Sequence, residues 1–149
     1  MKKYLFMCLM ALVPLAFTAC GSDDDNNNLP NPNEDVDITV DKATFTESGN
    51  TLKLVYNINV KGSTSGKAFA AKDEWTCEFN GSTLVKSTHR VTFPSADYAK
   101  EAYADYVKTY GNSKCSVSGN VLTYEDTAEW EDQSKDEIKM IMQMMASGK

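Results

Sequence analysis

Apolar and polar residues alternate along the first part of the chain with the period of a β-strand. In the clearest run, from residue 52 to residue 60, mostly polar neighbours alternate with Leu52, Leu54, Tyr56, Ile58 and Val60. This pattern predicts a half-buried strand. Gly49-Asn50 predicts a turn before it. We therefore expect an earlier strand, paired back across that turn, to contain Ile38, Val40 and Phe45.

Two β-hairpins are predicted further along. In the first, Trp75, Cys77 and Phe79 alternate into the turn sequence Asn80-Gly81. A strict two-residue loop would split the apolar residues on its two sides across the two faces of the sheet, so we expect a bulged turn. The face beyond that turn is expected to hold Thr83, Val85, Ser87, His89, Val91 and Phe93. In the second hairpin, a two-residue turn at Gly119-Asn120 places on one face Cys115, Val117, Leu122 and Tyr124.

A helix is predicted after each hairpin. Ser95 is placed to cap the first helix and Gly111 to close it. The apolar residues of that helix recur at helical spacing: they are Ala99, Ala102, Tyr103, Tyr106, Val107 and Tyr110. Ser134 and Glu137 form a capping box for the second helix, whose apolar stripe is Ile138, Ile141, Met142 and Met145.

These elements predict an α+β fold, a mainly antiparallel sheet of about six strands with two helices packed on one face. We assign the single domain to residues 37–149. Its two hairpin-helix units have similar spacing. Either an internal duplication or two similar solutions to one architecture explains that spacing.

The N-terminus predicts export. Lys2 and Lys3 precede an uncharged apolar stretch over residues 4–19, which is shorter than the roughly 20 residues of a membrane-spanning helix. This layout predicts a signal peptide over residues 1–19, with a transmembrane anchor as the alternative. The sequence Leu15-Ala16-Phe17-Thr18-Ala19-Cys20 resembles a bacterial lipobox, although Phe17 departs from the usual leucine.

The lipobox resemblance implies that cleavage before Cys20 leaves an acylated cysteine, palmitate being a typical chain, which anchors the protein to a membrane. The alternative is a secreted protein with a free cysteine. Ser22 precedes Asp23-Asp24-Asp25, and this acidic run resembles the surface-export tag of Bacteroidota lipoproteins. The tag implies a protein on the outer membrane, facing the cell exterior. An acidic linker is the other interpretation, and residues 20–36 are expected to form a disordered tether.

The net charge of the chain narrows the classes of partner that we expect. Cleavage removes two of the 15 basic residues and none of the 21 acidic ones, which leaves the mature chain at −8. An acidic surface repels nucleic acid and anionic lipid. We therefore expect no nucleic-acid partner, and a membrane contact made through lipid on Cys20 alone.

Cysteine and histidine give little sign of catalysis. Cys77 and Cys115 are candidates for a disulfide, with two buried free thiols as the alternative. His89 is the one histidine, and its place in the middle of a strand favours a structural role over that of a general base. The chain lacks the common nucleophile, phosphate-loop and metal motifs. The sequence therefore indicates no catalytic residue, cofactor or metal.

Ligand-binding candidates cluster after the last strand. Trp130, with Tyr124 nearby, is a candidate for stacking on a sugar ring, and a core position is the alternative. Asp126-Thr127-Ala128 resembles the O-glycosylation motif of Bacteroidota, which makes Thr127 a candidate acceptor. Five acidic residues between Glu125 and Asp132 suggest a solvated loop more readily than a cation site.

The functional hypotheses follow from these candidates. The first is a non-enzymatic binding or interaction module on the cell surface that recognises a glycan or a protein. The second is a periplasm-facing envelope protein that inhibits or assists a protein partner through the methionine-rich last helix. The third, a small hydrolase, requires a pocket that joins His89 to an acid and a hydroxyl.

Overall fold

The computed structural model describes residues 35–148. The predicted signal peptide, the predicted lipidation site Cys20, the predicted export tag and most of the predicted tether lie outside these residues. The strands are β1 (Val36–Ser48), β2 (Thr51–Gly62), β3 (Ala68–Asn80), β4 (Thr83–Thr92), β5 (Cys115–Ser118) and β6 (Val121–Glu125). The helices are α1 (Ala96–Tyr110), α2 (Thr127–Trp130) and α3 (Lys135–Ser147), with a 3-10 turn at Asn112–Lys114.

The strands form one antiparallel sheet in the order β1-β2-β3-β4-β6-β5. α1 lies against β5 and β6, α2 against β4, and α3 against β1 and β2. This arrangement confirms the α+β class and the mainly antiparallel sheet with helices packed on it. No helix within residues 35–148 is both long and apolar enough to cross a bilayer.

One face of the sheet forms the core. The alternation in β2 predicts this face, since the five apolar residues of the alternating series are all buried there, whereas Val55 lies half-buried on the opposite face. The opposite face carries mainly polar side chains that are half-buried or exposed. We call this opposite side the open face of the sheet.

Both long helices begin with the predicted caps. Ser95 Oγ accepts a hydrogen bond from the Tyr98 backbone N–H at 3.4 Å. At α3, Ser134 and Glu137 form the reciprocal capping box. Lys135 also fixes the start of α3 to the first hairpin, because its Nζ lies 3.2 Å from Glu47 Oε1 and 2.9 Å from the carbonyl oxygen of Gly49.

The β3–β4 hairpin contains the expected bulge but orients two side chains differently. A two-residue loop joins Asn80 to Thr83, and the register then slips by one residue between the pairs Phe79–Leu84 and Glu78–Lys86. The extra residue is Val85, which is 58% exposed, whereas Leu84 is buried. The expectation that Thr83 and Val85 share the inner face with His89 is therefore wrong. Because the bulge lies in the strand after the turn, the predicted inward side chains of β4 point to the core only from Ser87 onward.

The predicted disulfide between Cys77 and Cys115 is not formed, and both cysteines are buried free thiols. Cys77 lies on β3 and Cys115 on β5, with β4 and β6 between them. Three strand spacings of almost 5 Å separate the two strands by about 14 Å, whereas a disulfide needs Cα atoms within about 7 Å. The alternation of apolar and polar residues predicted that both cysteines point to the core face. It contains no information on the order of the strands in the sheet.

The two outer strands differ in length. β1 contains 13 residues, and its pairing with β2 shifts between Asp41 and Thr44, where Lys42 adopts a φ of 50°. β5 contains only four residues. The longest outer edge of the sheet is therefore interrupted near its middle.

Single-residue deletions should separate the bulge from the strand register. Deleting Val85 removes an exposed side chain and restores regular alternation from Leu84 to Ser87. We expect the free energy of unfolding to change by about 1 kcal/mol or less. Deleting Thr88 turns every later inward side chain of β4 to the open face, so this variant should not fold.

Urea unfolding followed by circular dichroism measures both variants. A Thr88 deletion that folds as well as the Val85 deletion would contradict the register.

Candidate functional site

His89 lies at the centre of a stack of rings that crosses three strands. Trp75 on β3, His89 on β4 and Tyr124 on β6 are direct cross-strand neighbours. The His89 ring is 5.5 Å from the nearest ring centroid of Trp75 and 4.7 Å from that of Tyr124, with interplanar angles of 9° and 1°. A positive imidazolium between two aromatic faces is favoured by cation–π attraction.

Two buried carboxylates flank the His89 ring in its own plane. Nδ1 lies 2.8 Å from Asp73 Oδ2, and Nε2 lies 3.2 Å from Asp126 Oδ2. A neutral imidazole has only one N–H to donate. Since both ring nitrogens face carboxylate oxygens, a protonated ring that donates at both ends satisfies both contacts. We call Asp73, His89 and Asp126 the His89 ion cluster.

Neighbouring side chains give each carboxylate a second donor. The Tyr56 hydroxyl donates to Asp73 Oδ2 at 2.7 Å, and Trp130 Nε1 donates to Asp126 Oδ2 at 2.8 Å. These bonds offset part of the cost of taking two negative charges and one positive charge out of water. They also connect β2, β3, β4 and α2 through one set of contacts.

The pKa values follow from this geometry. Burial alone would lower the pKa of His89, but the charge of Asp73 and the hydrogen bond with Asp126 outweigh it and raise the pKa to about 10. Burial acts to raise the pKa of Asp126, but the hydrogen bond and charge of His89 hold it below its ordinary value. At neutral pH the cluster therefore contains an imidazolium and an ionised Asp126.

This arrangement suits a structural ion better than a general base. His89 is 4% exposed, and both of its nitrogens are already bonded. A general base needs an unprotonated nitrogen within reach of a substrate proton. The hydrolase hypothesis required a pocket at His89, whereas the structure places the ring in a packed core.

The predicted stacking of a ligand on Trp130 and Tyr124 is wrong, because both side chains are core residues. Trp130 is 4% exposed and Tyr124 is 1% exposed. The Trp130 ring lies 4.8 Å from Trp75, and its N–H is held by Asp126. The short helix α2 folds back over β4 and thereby encloses both rings.

The predicted glycosylation acceptor Thr127 is the first residue of α2 and is half-buried. Its hydroxyl accepts from the Ser87 backbone N–H at 3.0 Å and donates to Glu125 Oε1 at 3.1 Å. A glycosidic bond would remove the hydrogen that reaches Glu125. Modification at Thr127 remains a prediction.

The methionines of α3 divide between core and surface. Met142 is fully buried, Met144 and Met145 are half-buried, and Met140 is 52% exposed. Burial therefore accounts for Met142 but not for Met140. In the part of the chain that the structure describes, no group of three or more histidine, cysteine or acidic side chains is placed to hold a metal ion. Burial raises the pKa of Cys77 to about 12, which leaves an unreactive thiol.

A groove lies on the open face of the sheet, at the end of β1, β2 and β3. Its volume is about 470 Å³. Its lining includes the side chains that point to this face, which are Asp37, Thr39, Asn59, Lys61, Ala68 and Ala70. We call it the open-face groove. The alternation assigns these positions to the solvent side, but no motif marked them as a site.

The sequence reasoning missed Asp73 and the role of Asp126, although a signal was present. Asp73 occupies an inward position between Ala71 and Trp75. Asp126 continues the inward series of Leu122 and Tyr124. A charged residue at a core position of a strand needs a partner, and the two acids could have been matched with the one histidine of the chain.

Comparison with protein-family models, curated protein sequences and solved structures gave no match. The assignment of function therefore depends on the sequence and on the geometry of the described residues.

The His89 ion cluster should make stability depend on pH. The folded pKa of His89 is raised above 6.5, so its contribution is complete below pH 6.5 and is lost as the pH rises to about 10. The pKa of Asp126 is lowered, so its contribution is present above pH 3.8 and is lost as the pH falls further. The free energy of unfolding should therefore fall between pH 7 and 9.5, by up to about 1.4 kcal/mol per pH unit.

Substitution of His89 separates the contribution of the His89 ion cluster from other pH effects on stability. At pH 6, His89→Gln should lose about 3–5 kcal/mol, because two buried carboxylates lose their cation, and any protein that folds should lack the slope between pH 7 and 9.5. Arg90→Gln is the matched control. Arg90 is the next residue on β4, faces solvent, and should matter by less than about 1 kcal/mol at any pH. Urea titrations across this range measure both effects, and a flat wild-type profile would rule out a buried imidazolium.

Proposed function

We propose that the chain is a non-enzymatic binding module, anchored by lipid on Cys20 and displayed on the outer face of the outer membrane. One observation carries the binding part of this proposal. The helices cover a single face of the sheet, and the open face presents a groove of about 470 Å³. That volume lies within the range of small-ligand sites.

The non-enzymatic part is supported by the enclosure of His89. Its two nitrogens are bonded to Asp73 and Asp126 inside the core. Cys77 is a buried thiol with a raised pKa. Within the described residues, His89 and Cys77 are therefore enclosed in the core, where neither faces a substrate.

The location is supported by sequence resemblance, in the lipobox that ends at Cys20 and the acidic run Asp23-Asp24-Asp25. An acidic mature chain has no electrostatic attraction to anionic lipid. Attachment through acyl chains is therefore the mode of membrane contact that fits the composition.

A second candidate is a periplasm-facing envelope protein that inhibits or assists a partner. The observation that favours it is the exposed methionine of α3, Met140. The other methionines of that helix are buried or half-buried. A single exposed side chain offers much less surface than the open face, so we favour the first proposal.

Protease cleavage of the protein on intact cells tests whether its domain faces the cell exterior. A recognition sequence for a site-specific protease is inserted at Gly66, within the loop between β2 and β3, because loop tips accept insertions. The protease, added outside intact cells, should cut the chain while a periplasmic control protein carrying the same sequence stays whole. The variant in which Asp23, Asp24 and Asp25 are replaced by alanine should be protected until the cells are lysed.

Cutting of the lysed sample at the same dose shows that the inserted site is accessible in the folded protein. If the protein with the unaltered acidic run stays whole in intact cells and is cut only after lysis, outward display is contradicted and the periplasmic alternative is favoured. If the unaltered protein and the alanine variant are cut to the same extent on intact cells, the acidic run does not direct export.

A further inference from the structure

The open-face groove lies where three strands extend past the fourth. The pairing of β3 with β4 ends at Lys72 and Thr92, whereas β3 continues its pairing with β2 as far as Ala68 and Lys61. β1 pairs with β2 over the same stretch. The groove is therefore built on a projecting three-stranded ribbon, away from the His89 ion cluster.

Two cross-strand rows form the groove. One row contains Asp37, Lys61 and Ala68, and the next contains Thr39, Asn59 and Ala70. The polar side chains stand on β1 and β2, and the alanines lie together on β3. Since an alanine methyl is much shorter than its neighbours, the surface drops on the β3 side. The groove thus has an aliphatic floor and a polar wall.

The polar wall keeps its hydrogen-bonding capacity. Within residues 35–148, the side chains of Asp37, Thr39 and Lys61 make no hydrogen bond or ion pair. The amide nitrogen of Asn59 donates to Asp41 Oδ2 at 3.2 Å, which leaves the amide oxygen without a donor from the protein.

The charges in the middle of the open face are paired. Glu74 accepts from Lys72 at 3.0 Å and from Lys53 at 3.4 Å, and Arg90 lies 3.9 Å from it. The unpaired wall of the groove therefore differs from the middle of the face, whereas Glu78 and Lys86 near the turn resemble it, since neither makes an ion pair within the described residues. The donors and acceptors of the wall are available for a ligand.

We infer that the open-face groove binds a saccharide unit of a glycan. A sugar ring has hydroxyls around its rim and C–H groups on its faces. The carboxylate, hydroxyl, amide and ammonium of the wall match the hydroxyls, and the alanine methyls match a C–H face. Asp37 and Lys61 are opposite in charge, which suits a neutral ligand rather than an anion. This inference rests on the proposed function and names the ligand class of that binding module.

A glycan array probed with the full chain in detergent tests the inference. Ala70→Ile fills the floor and suits a strand, and Asp37→Ala removes the carboxylate of the wall. Each should weaken glycan binding about tenfold or more, because a filled floor excludes the ring and a lost acceptor leaves a hydroxyl unpaired. Thr76→Ile is the matched control, since it lies on the same strand and face outside the groove, and it should bind within about twofold of wild type.

Amide shifts of residues 59–61 and 68–70 on titration with the bound glycan provide a second readout, and circular dichroism checks that each variant is folded. If Ala70→Ile binds the glycan as well as the wild type does, the groove is not the binding site, although the protein would still be a binding module. An array on which no glycan binds would overturn the saccharide class. The protease experiment decides display independently, so failure of either proposal is recognised separately.

Discussion

The bonds that a buried His89 makes to Asp73 and Asp126 constrain the rest of the structure. Three charges have been taken out of water, and this is tolerable only when all three groups are in place. Asp73 lies on β3, His89 on β4, and Asp126 directly after β6. A slip of one residue in the β3–β4 or β4–β6 pairing would leave a buried charge alone, so we interpret the cluster as a device that specifies strand register as much as it adds stability.

The same constraint distinguishes two regions of the sheet that differ in burial and charge. In the centre, the rings of Trp75, His89 and Tyr124 stack across neighbouring strands, and α2 covers them. Such a region is rigid and sealed. At the far end of β1, β2 and β3 the sheet has no buried ions, and its polar side chains keep their hydrogen-bonding capacity for other molecules. The buried charges are therefore confined to the centre of the sheet, and the groove that we propose as a binding site lies away from them.

Much of the fold was predictable because its signals are local. Alternation predicts β2, turn residues predict the hairpins, and Ser95 and Ser134 predict the helix starts. The order of strands is not local, and it separates Cys77 from Cys115 by two intervening strands. The sequence left open whether Trp130 is a core residue or a stacking residue, because its burial depends on α2 folding back over β4, which the sequence does not display. The groove was missed because its residues are ordinary in isolation and acquire meaning only through cross-strand pairing.

The two outer strands of the sheet determine how the protein behaves beside copies of itself. A long, regular outer strand offers a row of backbone donors and acceptors to which another chain can add. Here the kink at Lys42 divides β1 into two shorter stretches, and the other outer strand, β5, is only four residues long. Neither edge offers a long template for intermolecular pairing. Strand addition between copies is therefore disfavoured at both edges of the sheet, and neither edge promotes aggregation through its backbone.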